Sequence, residues 1–221
     1  MAGCLCNGAV AAYLDFTDDN VVMSLMSSPV AGGYAGSIDG VAFTLTSTDG
    51  VNLNSDPSYD GSSSIGCQPV GPLACDWDGV GVENDEVTGA FENYSGQTLV
   101  LEFATEVYIS SFDFLDLYLN PNDRDAEQAS VSIDGAAPIV GDAVGSSGDG
   151  GYLNLLALGG PILGRVIEFT AASGSEFWDD HNNDYALAGV AVSAVPVPAA
   201  AWLFGSALIG LIGFSKRRKT A

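Results

Sequence analysis

Carboxylates are the residues of this chain best placed to do chemistry, and they gather in three runs. Asp113 and Asp116 are followed by Asn120, Asn122, Asp123 and Asp125. Asp179, Asp180, Asn182, Asn183 and Asp184 form a second run, and Glu83, Asn84, Asp85 and Glu86 a third. Calcium takes about six to eight oxygens from carboxylates, Asn side chains and backbone carbonyls. The cofactor these runs could hold is therefore Ca2+, with Asp113, Asp116, Asp123, Asp125, Asp179, Asp180 and Asp184 as candidate ligands. None of the runs has the spacing of an EF-hand loop or a calcium-binding nonapeptide repeat. Asp and Asn also stabilise turns through their own backbone, and solvated turn chemistry accounts for most of these positions.

Other chemistries find less support. His181 is the only histidine, no serine sits in a Gly-x-Ser-x-Gly setting, and 28 acidic residues will bring some carboxylate pair together by chance. No catalytic residue is assigned, and the chain is not expected to be an enzyme. Trp77 and Trp178 flank acidic loops. Exposed, they could stack on sugar rings, which makes an extracellular polysaccharide a candidate partner; packed, they are ordinary core aromatics.

The compartment is set by charge and cysteine. Six Lys and Arg stand against the 28 acids, for a net charge of −22. Four of those cations lie at 216–219, leaving Arg124 and Arg165 for all the rest. A chain without a basic footprint is not built for nucleic acid. Cys67 and Cys75 bracket a short Pro- and Gly-containing loop, which predicts a disulfide in an exported protein. A zinc pair is the competing reading, but no further ligands lie nearby. Residues 1–12 are small and apolar and contain Ala9-Val10-Ala11, an A-x-A cleavage pattern. They read as the remnant of a signal peptide whose start lies further upstream.

Short strands must position all of these residues. Strict alternation over 41–46 predicts a strand. Others are expected at 13–16, 98–103, 108–119, 129–133, 152–158, 165–171 and 185–192. Residues 21–26 could be strand or one helical turn. Glycines 32, 33 and 36 mark a loop, and 47–75 a longer one. Within 108–119 the side-chain phase slips between Phe114 and Leu115, as at a β-bulge. About nine short strands with no sustained helical period predict an all-β fold, an antiparallel β-sandwich or jelly roll spanning 13–194.

The tail, 195–221, is different in kind. Val195-Pro196-Val197-Pro198-Ala199 precedes an uncharged apolar run to Phe214, and Lys216, Arg217, Arg218 and Lys219 follow. At about 1.5 Å per residue this run can just cross a thin hydrocarbon core as a single helix. The basic run holds its own end cytoplasmic, which puts the body outside.

This order of parts resembles the PEP-CTERM sorting signals, in their VPLPA-like variant, over 195–219. Val197 stands where the best-known form carries Glu. The resemblance implies export in a Gram-negative bacterium and an exosortase-type membrane protease as partner. It also implies a membrane-anchored intermediate and final delivery to the cell surface or matrix. The body is loosely similar to ectodomains that precede such tails, through Gly79-Val80-Gly81-Val82, Asp85-Glu86, Leu99 to Phe103 and Ala186 to Val192. That likeness supports the sandwich and carries no functional residue.

Overall fold

The structure, a computed structural model, describes residues 12–54, 73–83, 86–90, 95–117, 127–143, 153–156, 160–172 and 184–195. The chain divides into two units, and Val10–Ala194 carries every described element. The other unit, Met1–Ala9 with Val195–Ala221, contributes only Val195 to the described residues.

Twelve strands and one helix are described, and every strand pairing is antiparallel. The fold is all-β and β-sandwich-like. Its centre is β7, Leu99–Leu115, a single strand of 17 residues. The sequence predicts two separate strands here, yet residues 104–106 stay extended although all three are exposed. β7 changes neighbours along its length. Its first half lies between β4 (Val41–Thr46) and β11 (Ile162–Ala171). Its second half lies between β12 (Ala186–Ala194) and β10 (Leu153–Leu156). Beyond β4 come β3 (Gly33–Ile38) and β2 (Pro29–Val30). Beyond β11 come β8 (Gln128–Ile133) and β9 (Ile139–Asp142). The far side of β12 pairs with β1 (Ala12–Asp15) and with β6 (Gly79–Val82), and β6 pairs with β5 (Val51–Asn54).

Two bulges let β7 serve both halves. Ala191 pairs with Ser111 and Val192 with Ile109, so Ser110 is an extra residue on β7. Leu187 pairs with Phe114 and Gly189 with Asp113, so Ala188 is an extra residue on β12. An extra residue turns the following side chains to the opposite face. That is why Val107 and Ile109, then Phe112 and Phe114, all reach one core. The phase slip expected between Phe114 and Leu115 instead falls at Ser110 and again at Asp116. There a left-handed backbone (φ 63) returns Leu117 to the core. Leu115 joins a second small apolar cluster with Ala186 and Ala188, covered by Leu73.

Residues 21–26 belong to a helix, α1, Asp19–Met26. Asp18 caps it by accepting from the backbone N–H groups of Asn20 and Val21. Val22 and Leu25 face inward, one turn apart. The expected loop at glycines 32–36 is instead the β2–β3 hairpin and its outgoing strand. Gly36 is needed because the Phe43 ring crosses it, and a Cβ there would sit 2.5 Å from that ring. The 47–75 loop likewise contains β5.

Candidate functional site

Two arrangements on the β12 half of the body bring predicted residues together. The first is a polar line across four strands. Asp113 on β7 is fully buried. Its Oδ2 accepts from the Tyr13 hydroxyl at 2.6 Å and its Oδ1 from Asn154 Nδ2 at 2.5 Å. Asn154 lies directly opposite Asp113 on β10. Tyr13 lies two strands away on β1 and reaches Asp113 by crossing Gly189 of β12. A Cβ at 189 would stand 2.1 Å from the Tyr13 Oη, so only glycine leaves the passage open.

Next to that line, Asp15 binds the end of the expected disulfide loop. Its Oδ1 accepts from Thr17 N (2.9 Å) and Oγ1 (2.7 Å), and its Oδ2 from Ala74 N (2.7 Å). Thr17 then accepts from Cys75 N on its hydroxyl (2.9 Å) and from Asp76 N and Trp77 N on its carbonyl. Cys75 is disulfide-bonded. Cys67, its expected partner, lies outside the described residues. Neither Asp15 nor Thr17 stood out in the sequence; the one available signal was a carboxylate and a hydroxyl two residues apart at a strand end.

The second arrangement is acidic. Asp116 follows the end of β7, Asp184 precedes β12, and Glu86 follows β6. Leu115 pairs with Ala186, and Val87 N–H donates to the Tyr185 carbonyl at 2.9 Å. The backbone segments that carry Asp116, Glu86 and Asp184 are thus neighbours at one end of this half. Asp116 and Glu86 are buried, and Asp184 is half-buried. Asp113 lies inside the polar line rather than at this end. Among the described residues, no three His, Cys, Asp or Glu come close enough to hold a metal ion. Tyr185 stands beside this end with its ring edge-on to Phe114, centroids 4.9 Å apart. Its hydroxyl is buried and has no hydrogen-bond partner among the described residues. Burial alone pushes its pKa well above that of an ordinary tyrosine.

Trp77 is half-buried against the core, and its indole Nε1 donates to Asp19 Oδ1 at 3.1 Å. Asp123, Asp125, Trp178, Asp179, Asp180 and His181 lie outside the described residues. So do Pro196, Val197, Pro198, Ala199, Lys216, Arg217, Arg218 and Lys219. Among the described residues no helix is long and apolar enough to cross a membrane. Val195, the first residue of the expected sorting element, is exposed and follows Ala194, the last residue of β12.

Comparison with protein-family models, curated proteins and solved structures finds no match to this chain.

Proposed function

We propose that this chain is an exported, surface-sorted protein without enzymatic activity. Its β-sandwich or jelly-roll body serves in the cell envelope or extracellular matrix of a Gram-negative bacterium. The observation that carries this reading is the order of parts after residue 194: a Val-Pro-Val-Pro-Ala element, an uncharged apolar run and four consecutive cations. The apolar run crosses the inner membrane as a helix, the cations stay in the cytoplasm, and an exosortase-type protease reads the element. A disulfide at Cys75 fits folding in an oxidising compartment. The scarcity of cations in the body argues against nucleic acid as a partner.

The test is to express the full chain, with a signal peptide, in hosts that have or lack such a protease. With the protease, the chain loses its tail and the body leaves the inner membrane. Replacing Lys216, Arg217, Arg218 and Lys219 with Glu disturbs topology and processing. An unprocessed chain in the competent host, or unaltered handling of the Glu variant, overturns the reading.

A second reading, a Ca2+-dependent or glycan-binding module at the cell surface, rests on the acidic runs of the sequence. Thermal melts with and without millimolar Ca2+ decide it: an unchanged melting temperature removes the metal. A glycan array probed with wild type and a Trp77→Ala variant decides the sugar.

A further inference from the structure

β12 is the last strand of the body and an interior one. On one side it pairs with β7, across two bulges, to its final residue, ending with Val192 on Ile109, Ser193 on Tyr108 and Ala194 on Val107. On the other side Ala12 of β1 pairs with Val192. Its first five residues are fully buried. The next residue, Val195, is 39% exposed and opens the sorting element. No spacer separates the last paired residue from the motif.

Proteases take their substrates extended and unpaired, and paired interior strands open only by sub-global unfolding. A cut within Ala186–Val192 would require stripping β12 from its neighbours on both sides, and one at Ser193 or Ala194 would require stripping it from β7. The first would unseat Leu187, Val190 and Val192 from the core and open the Gly189 passage that seats Tyr13 on Asp113.

We propose that the folded body sets the upstream limit of tail processing. Every bond through Ala194 is protected, the first bond available for cleavage follows Val195, and the position of the cut reports whether the body has folded. An unfolded body presents Ala186–Ala194 as ordinary extended chain and is cut within it. This inference rests on the proposed sorting role for its biological protease, but the protection it describes can be read with any protease.

The experiment has two arms. In the first, the purified full chain in detergent is digested briefly with a broad-specificity protease, and the body fragment is weighed. The expected fragment ends at Val195 or later. A fragment ending within Ala186–Ala194 from folded protein overturns the proposal. A Gly189→Val variant, which forces Tyr13 off β12, should gain cuts within Ala186–Ala194. If that variant unfolds completely, wild type held in denaturant supplies the same comparison. In the second arm, product from the processing-competent host is sequenced at its C-terminus. Wild type should end at Val195 or later. A six-residue Gly-Ser spacer inserted after Ala194 should speed processing severalfold by moving the element off the sheet. An equal rate with and without the spacer counts against the proposal. Loss of processing in both chains, with the protease-protection pattern intact, overturns the sorting role and leaves the protection standing.

Discussion

Tyr13 donates to Asp113 across an intervening strand, at 2.6 Å, and Gly189 is the gap that lets it through. The bond joins the first strand of the body to its longest. A buried carboxylate needs such donors, because an ionised group removed from water without them is costly. Gly189→Ala should displace the Tyr13 ring and cost about 1–3 kcal/mol, the range for overpacking and for an orphaned buried acceptor. Denaturant unfolding of the full chain measures it. In a Tyr13→Ala background the same substitution should cost less, since the two effects share one contact. Equal costs in both backgrounds would refute the coupling.

Tyr185 carries a buried hydroxyl with no hydrogen-bond partner among the described residues. Tyr185→Phe should raise stability by about 1 kcal/mol, by removing an unsatisfied buried group. The pH dependence follows from the raised pKa. The unfolded chain ionises this phenol near pH 10 while the folded chain keeps it neutral. Its contribution is therefore complete below about pH 10 and is lost as pH rises further. Alkaline melts should fall off more gently for Tyr185→Phe than for wild type.

Asp18 holds the start of α1. The Asn20 side chain first, and then the Asn20 and Val21 backbone N–H groups, keep its carboxyl below the usual carboxylate range. Asp18→Ala should cost about 1 kcal/mol, the ordinary cost of losing an N-cap. A lowered pKa makes the charged cap fully effective above about pH 4 and progressively lost below it. The group is exposed, so solvent screening keeps this pH-dependent part small. Asp18→Asn should retain most of the capping and lose the acid dependence, as read by thermal melts from pH 3 to 7.

Thr17 holds the segment that carries Cys75 through three hydrogen bonds, one to its hydroxyl and two to its carbonyl. Thr17→Ala removes the hydroxyl acceptor for Cys75 N–H and should cost about 1–3 kcal/mol. Reducing the wild-type disulfide should cost about 2–4 kcal/mol. Reductant should lower the melting temperature of wild type and leave Cys75→Ser unaffected. A reductant-insensitive wild type would show that the Asp15 and Thr17 bonds alone hold the segment.

Local patterns made part of this fold readable. Val41 to Thr46 alternates cleanly and is β4, because it packs one face on the core and leaves the other more open. Residues 13–16 overlap β1. The acidic runs and the cysteine pair were equally visible as residue types. The prolines, apolar run and cations of the tail are visible as an order of parts along the chain, and the proposed membrane role rests on that order alone.

Tertiary structure decided the rest. Glycines 33 and 36 look like loop punctuation, yet they lie inside β3 because Leu45, Val51 and Phe43 press onto them from other strands. Both parts of β7 were legible as strands, but their continuity was hidden by the exposed residues 104–106, and the phase slip was misplaced because both faces are buried from Ser111 to Leu117, which erases the alternation that marks a half-buried strand. Its bulge at Ser110 answers one on β12, some eighty residues away, and such a pairing has no local signature. Asp15 and Thr17 became a clamp only when residues 74–77 folded onto them, and Asp113 and Tyr13 a bond only when β12 paired with both β1 and β7. The sequence by itself determined the strand-rich body, its acidity and the order of prolines, apolar run and cations on which the proposed sorting role rests. Folding alone decided which carboxylates are buried, because burial comes from contacts between residues far apart in the chain.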